Sequence, residues 1–242
     1  MNTGSPLYLH CKSKLALSPL FSGLSDEILS YMLERFLHIT WRKGVEVDAP
    51  SLLQRFYLII NGRVKVERID VASGDRIILF LLGPGDGFDI INLLDDQSHE
   101  SMTTALDDLY LLSAPSRLVR EWISCHPEFN RNFLPYLGAQ MRRMEDLAAD
   151  LAMKDTVTRL ARLILRHTLP DRSAANASHD VRLIHDLNQD SLARMIGSTR
   201  QVVNKHLQVF RGKGVLNSHS NYLAVSKLEA LKEQAEVFLS HE

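Results

Sequence analysis

The sequence predicts an α+β chain in three parts: a β-rich N-terminal domain, a long helix, and a C-terminal winged helix-turn-helix. Three observations carry this. Short apolar runs punctuated by turn residues fill the stretch from Phe36 to Ser113. A helical pattern with an apolar stripe then runs from Pro127 to about Lys154. Finally, Asn188 to Phe210 reads as two short helices around a tight turn. At 242 residues with 45% hydrophobic and 24% charged content, the chain is long and apolar enough for more than one core.

In order, Ser25 caps a short helix that has Asp26 and Glu27 in its first turn. The candidate strands are Phe36–Trp41, Arg55–Ile60, Arg63–Ile69, Arg76–Leu82, Met102–Leu106 and Leu109–Ser113. Asn61-Gly62 between two apolar runs predicts a type I′ hairpin, a turn that needs positive φ at both positions. Strands this short and regular suggest an antiparallel barrel or sandwich. The Gly83–Gly87 loop lacks G-x-x-x-x-G-K-[ST] and is read as a structural turn.

Pro115–His126 predicts one helix, and Pro127 suits the first position of the next. On that long helix Phe133, Leu137, Met141, Met144, Ala148 and Leu151 form one stripe at three- and four-residue steps. Such a stripe can pair with its own copy as a coiled coil, or pack on its own chain. Asp155 marks a hinge, and Thr156–His167 is a further amphipathic helix. Leu169–Asp180 reads as a polar loop and Val181–Ile184 as a strand.

Within Asn188–Phe210, Leu192, Ala193 and Ile196 give the first helix an apolar face, Asn188 caps it and Gly197 ends it. Ser198, with Gln201 three residues on, has capping-box spacing for the second helix. Val202, Val203, Leu207 and Phe210 form its buried side, with Arg200, Gln201, Asn204, Lys205 and Gln208 on or near the other. An ordinary helical hairpin has the same pattern. Local charge favours a nucleic-acid reading: Leu192 to Lys227 contains no Asp or Glu but holds Arg194, Arg200, Lys205, Arg211, Lys213 and Lys227, in a chain of net charge −1. Val215–Asn217 and Tyr222–Val225 flank His219-Ser220-Asn221 as a wing, and Ser226–Leu239 is a final helix.

This order of parts resembles the cyclic-AMP receptor protein/fumarate–nitrate regulator (CRP/FNR) superfamily of bacterial transcription regulators. The resemblance covers nearly everything from Leu20 to Val225. It is strongest over Asp190–Leu216, where Leu192-Ala193, Gly197, Arg200, Val203, Leu207, Gly214 and Leu216 match the family signature. Weaker echoes are Leu20-Phe21-x-Gly23-Leu24-Ser25 and Tyr57–Val66. The resemblance implies a cyclic-nucleotide-binding-type β-roll with flanking helices over 1–126, a dimerisation helix over 127–155 and a winged helix-turn-helix domain over 156–242. It implies a homodimer on a two-fold-symmetric operator, with double-stranded DNA and RNA polymerase as partners. Arg200, Gln201 and Lys205 match base-reading positions, joined on the same face by Asn204. Asn188, Gln189, Ser198, Thr199 and His219 match or adjoin backbone-contacting ones. Position 201 is commonly acidic in the family; Gln there favours adenine over cytosine.

The roll departs from the family's nucleotide site. Asp89-Ile90 stands at the ribose-binding Gly-Glu pair and Glu100-Ser101 at the phosphate-binding Arg-Ser pair. No Lys or Arg lies between Arg76 and Arg117, an interval with seven Asp or Glu. Carboxylates with no cation oppose a cyclic phosphate. Asp89, Ile90, Ile91, Glu100, Ser101 and Met144 are therefore read as a degenerate, more apolar effector position that does not take cyclic AMP. The position is a more apolar pocket or a filled one; whether an effector exists is left open, an unidentified small molecule being the candidate, and the cofactor is left unknown. Cyclic-nucleotide dependence and haem sensing are the alternatives, with His10-Cys11 and Cys125-His126 as possible haem ligands.

No metal site, G-x-S-x-G, H-E-x-x-H or P-loop is found, so an enzyme is not expected. No apolar run reaches the roughly 18 residues of a membrane span, and no secretory signal is evident. Two widely spaced cysteines fit a reducing cytoplasm.

Overall fold

The computed structural model describes residues 5–88, 90–97, 100–168, 179–217 and 222–236. Asp89, His219, the wing tip and residues 169–178 lie outside the described residues. The chain divides into two compact units, one of residues 1–75 and 79–143, the other of 76–78 and 144–242.

The first unit opens with α1 (Pro6–Leu17), capped by Ser5 and started by Pro6. No amphipathic stripe announces it, because Leu7, Leu9 and Leu17 are exposed while Tyr8, Cys11 and Leu15 are buried. Next comes α2 (Asp26–Leu33), with Ser25 accepting from the Ile28 N–H as expected. The roll follows: β1 (Leu37–Trp41), β2 (Glu46–Asp48), α3 (Ala49–Leu52), β3 (Arg55–Asn61), β4 (Val64–Ile69), β5 (Arg76–Leu82), β6 (Gly87–Phe88), α4 (Ile90–Asp95), β7 (Ser101–Ala105) and β8 (Leu109–Pro115). The helices α5 (Ser116–Cys125) and α6 (Pro127–Met153) come next.

The strands form two four-stranded sheets, ordered β1-β8-β3-β6 and β2-β7-β4-β5. Tyr57, Ile59, Val64, Val66, Phe88, Leu109 and Leu111 share one core cluster. Phe56, Leu58, Ile60, Leu112 and Ala114 face a second cluster with α1, α2, α5 and the start of α6, through Trp122, Phe129 and Phe133. Burial on both faces explains the unbroken apolar run of β3.

This topology corrects the hairpin expected at Asn61-Gly62. The flanking strands belong to different sheets, so the turn passes from one sheet to the other. Only Gly62 has positive φ, at 89°. A Cβ there would sit 2.6 Å from Leu109 Cδ2 and 2.9 Å from the Asp108 carbonyl oxygen.

The second unit contains α7 (Thr156–Arg166), β9 (His179–Asp180), α8 (Gln189–Met195), α9 (Arg200–Gly212), β10 (Ala224–Val225) and α10 (Leu228–Gln234). The strand expected over Val181–Ile184 is not formed. The strand is β9, paired antiparallel with β10; Val181 makes only an isolated bridge to Thr168, and Leu183 has φ of 60°. Leu216 bridges Val225, and Asn217 N–H donates to the Ala224 carbonyl at 3.0 Å, so the base of the wing is paired.

Asp150, near the end of α6, is buried and receives Arg162 Nη1 at 2.7 Å, with Arg166 Nη2 at 3.6 Å. Arg162 Nε also donates to the Ala235 carbonyl at 2.9 Å, tying α10 to α7.

Candidate nucleic-acid interface

The pair α8–α9 is built as its residues dictate. Asn188 Oδ1 accepts from Ser191 N–H at 2.8 Å and starts α8. Gly197 turns the chain at φ of 56°. The cap of α9 is Thr199, whose hydroxyl accepts from Val202 N–H at 3.4 Å, and not the expected Ser198. The Ser198 N–H instead goes back to the Ala193 carbonyl at 2.9 Å, closing the turn. Leu192, Ala193, Met195, Ile196, Val203, Leu207 and Phe210 are all buried, and α9 packs on α7 and α8.

The opposite side of α9 is open. Arg200, Gln201, Lys205 and Gln208 are exposed and Asn204 is half-buried. At about 100° per residue these five span one arc, with Asn204 about 40° from Arg200. The arc starts at the helix N-terminus, where unpaired N–H groups and the dipole add positive potential. Of the cations in the acid-free stretch, Arg194 is held by Asp190 at 2.8 Å and Lys227 Nζ by the Lys213 carbonyl at 3.2 Å.

Asn188 and Thr199 spend their side-chain oxygens on capping, so they fix the frame of the interface. Gln189 does not stand alone either: its Nε2 donates to Asn204 Oδ1 at 3.2 Å, joining α8 to α9. An open cleft of about 530 Å³ lies beside them, lined by His185, Asn188, Gln189, Arg200, Arg211 and Leu223 among others.

Sequence reasoning missed His206. Its Nε2 lies 2.8 Å from Thr156 Oγ1, linking the recognition helix to the first turn of α7. Burial pulls the His206 imidazole below its ordinary value; Asp155 opposes this and Lys205 adds to it. Asp155 itself is held below the usual carboxylate range by the Thr158 N–H that it caps. No sequence period marks a contact between residues this far apart.

The residues expected at the effector position and on the dimer stripe fall in different surroundings. Ile90 and Leu93 are buried in the core cluster, whereas Ile91 and Leu94 are exposed. Glu100 is exposed and Ser101 half-buried. The expectation that no cation stands there is corrected by the sheet: Arg68 on β4 pairs in register with Ser101, and its Nη2 lies 3.8 Å from Glu100 Oε2. Met144 belongs to the second unit. Phe133 cannot serve a dimer interface, because it is 1% exposed within its own core, and Leu137 packs partly against that core. Met141 is exposed at 62%, Ala148 is exposed, and Met144 and Leu151 are half-buried.

Half-buried Asp86 and buried Tyr136 form a pair that the sequence did not single out. The Tyr136 hydroxyl accepts from Gly87 N–H at 3.1 Å and lies 3.3 Å from Asp86 Oδ1. Burial raises Asp86, opposed by the Gly83 N–H, Arg143 and Tyr136. Cys11 is buried, and burial pushes its thiol up, away from the thiolate that ligates metals. Cys125 is exposed, and the His126 ring lies 5.6 Å from that of Tyr31. Among the described residues no three or more His, Cys, Asp or Glu group as a metal site, and no helix is long and apolar enough to cross a membrane.

Residues 158–234 match the model of the Crp-like helix-turn-helix domain. The chain is 28% identical over 222 residues to the CRP-like cAMP-activated global transcriptional regulator of Mycobacterium tuberculosis, covering 91% of this chain and 98% of that protein. It is 29% identical over 185 residues to the global nitrogen regulator of Nostoc sp., covering 75% and 81% respectively. Its fold matches a CooA structure from Carboxydothermus hydrogenoformans with a TM-score of 0.70 at 23% identity, over 88% of this chain and 97% of that one. The Crp-like helix-turn-helix domain and these regulator relatives support a place in the CRP/FNR superfamily of transcription regulators, and the likeness to CooA shows the shared fold.

Proposed function

We propose that this regulator acts as a homodimer on a two-fold-symmetric operator. Arg200, Gln201, Asn204 and Lys205 read bases, and the N-terminus of α9 with Ser198 and Thr199 meets the backbone. The observation that carries this is the exposed arc of α9 at the head of an acid-free basic stretch. Arg200 pairs bidentately with guanine O6 and N7, and Gln201 with adenine. His219 remains a proposed backbone contact on the wing. In this reading residues 1–126 are the sensor, 127–155 the dimer helix and 156–242 the DNA-binding part.

The dimer seam lies one step round α6 from the stripe read in the sequence. Leu134 and Met141 are 58% and 62% exposed. With Gly138, Glu145, Ala148 and Ala152 they recur at alternating steps of four and three. That 3.5-residue period is the pattern of a two-stranded coiled coil. RNA polymerase and a cytoplasmic setting follow from the family reading.

The effector is a small molecule other than cyclic AMP, bound at the roll. Glu100 occupies the position of the phosphate-binding arginine, and Ile90 and Leu93 fill core space. A cyclic-nucleotide-dependent regulator is the second reading. The likeness to the cAMP-activated mycobacterial regulator and the Arg68 guanidinium beside Glu100 favour it. Calorimetry with cyclic AMP and cyclic GMP separates the two: no heat at micromolar concentrations is expected, and micromolar binding overturns the first.

Selection from a random DNA pool tests the main reading. Inverted repeats are expected, with half-site centres about one helical turn, roughly 10 base pairs, apart. Absence of any sequence-selective shift at moderate salt, with or without cell extract, refutes it.

A further inference from the structure

Gln189 and Asn204 meet each other before either meets DNA. Gln189 opens α8, and its Nε2 donates to Asn204 Oδ1 at 3.2 Å. Asn204 sits on the base-reading arc of α9, between Arg200 and Gln208 around the helix. An unrestrained asparagine reads adenine with both edges of its amide, accepting from N6 and donating to N7. Here the accepting edge is already occupied.

We propose that Gln189 is a specificity-setting positioning residue: it locks the Asn204 amide so that the recognition helix presents a donor, and no acceptor, at that step. This rests on the DNA-reading role of α9. With its oxygen turned to Gln189, Asn204 presents its –NH₂ edge, which suits guanine O6 or N7, thymine O4 or a phosphate. The bidentate adenine pair is lost.

Turning Asn204 alone would set its –NH₂ against the –NH₂ of Gln189. Turning both amides together would keep their bond but present the Gln189 –NH₂ to the adjoining cleft. Arg200 and Arg211 line that cleft, and guanidinium groups only donate. Two carboxylates also line it, and both have partners: Asp190 Oδ2 lies 2.8 Å from Arg194 Nη2 and Asp186 Oδ1 lies 3.8 Å from His185 Nε2. The orientation present, with Gln189 Nε2 on Asn204 Oδ1, keeps that –NH₂ away from the donor-only arginines of the cleft.

Substituting Gln189 therefore alters which base is read at the Asn204 step, whereas the loss of a backbone contact by Gln189 itself would weaken all sequences alike. In Q189E the carboxylate can only accept, so it turns the Asn204 –NH₂ inward and its oxygen outward. In Q189L the amide is free to turn. The test selects operators from a random pool with full-length wild type, Q189E, Q189L, N204A and Q189E/N204A, then measures affinity by fluorescence anisotropy on single-step operator variants. Wild type is expected to prefer guanine or thymine at the base facing Asn204. Q189E should shift that one step toward cytosine or adenine by roughly tenfold, within the discrimination of one base contact. Q189L should regain adenine there, and N204A should abolish the response to Q189E.

An unchanged preference in Q189E and Q189L overturns the proposal. So does an even loss of affinity across all sequences, or a Q189E shift that survives N204A. Thermal melts followed by circular dichroism establish that the variants are folded, and Q189L decides the matter if Q189E is not. If wild type selects no sequence at all, the DNA-reading role itself falls, a result distinct from selection that ignores Gln189.

Discussion

Gly197→Ala isolates the turn on which the interface depends. Gly197 has φ of 56°, a conformation that costs an L-residue about 1–2 kcal/mol. A Cβ there would also lie 2.6 Å from Leu151 Cδ2. Leu151 is half-buried, so its end can swing away at an off-rotamer cost of about 0.5–1.5 kcal/mol. Stiffening the unfolded chain returns about 0.4–1 kcal/mol. The net is a destabilisation of about 0.5–3 kcal/mol, from two separable causes. Asn tolerates positive φ but keeps the overlap, so G197N should cost about half as much. L151A removes the overlap and keeps the strain, so G197A/L151A should be milder than the sum of its singles by about 0.5–1 kcal/mol. Urea unfolding followed by far-ultraviolet circular dichroism measures all four, and a DNA shift assay reports whether the α8–α9 angle survives. A G197A protein within about 0.3 kcal/mol of wild type would refute the reasoning, as would G197N costing as much as G197A.

Other contacts give their own tests. Asp150→Asn should cost about 1 kcal/mol, because the buried carboxylate loses its pairs while the part-exposed arginines regain water; calorimetry should show the second unit's transition fall by about 4–8 °C, less in high salt. His206 has its proton affinity lowered by burial, so the unfolded chain binds the proton more tightly. Stability is complete above the unfolded value near 6.5 and declines as pH falls below it; H206Q should flatten that slope in melts from pH 7.5 to 5.5. Met141→Glu should yield monomers in analytical ultracentrifugation with the roll still folded, whereas Phe133→Ala should destabilise the first unit by about 3–5 kcal/mol.

The DNA-binding end was legible because its signals are local. Helix caps, a glycine after an apolar stripe and an absence of acids all fall within a few turns of chain. The base of the wing was legible for the same reason. The cap of α9 slipped by one residue, since Ser198 and Thr199 are both good caps and the turn needed the Ser198 N–H for itself, and the strand expected over Val181–Ile184 fell instead on His179–Asp180. The roll was legible as strands and illegible as pairings. Charge counted along the chain found carboxylates and no cation from Arg76 to Arg117, yet the fold supplies cations from elsewhere. Arg63 grips Asp107 at 2.7 and 2.8 Å, Arg120 meets Asp96 at 2.8 Å and Arg68 approaches Glu100. Cross-strand neighbours are set by sheet register, which no local pattern encodes.

The long helix shows why one apolar stripe was not enough. Read at helical spacing, Phe133 to Leu151 is a single line. In the fold that line serves different neighbours. Phe133 and part of Leu137 complete the first unit's core, and Leu151 lies against the Gly197 turn in the second. A straight helix gains 3.6 residues per turn, so a seven-residue repeat drifts about 20° each time around it. The side chains that keep the strict repeat, Leu134, Met141 and Ala148, therefore diverge from those following the buried face. They are also the ones left exposed. A helix that buries one face in its own chain and still exposes a Leu and a Met seven residues apart has an unsatisfied apolar edge. Pairing two such edges also duplicates the Arg200–Lys205 arc about a two-fold axis, which a symmetric operator requires.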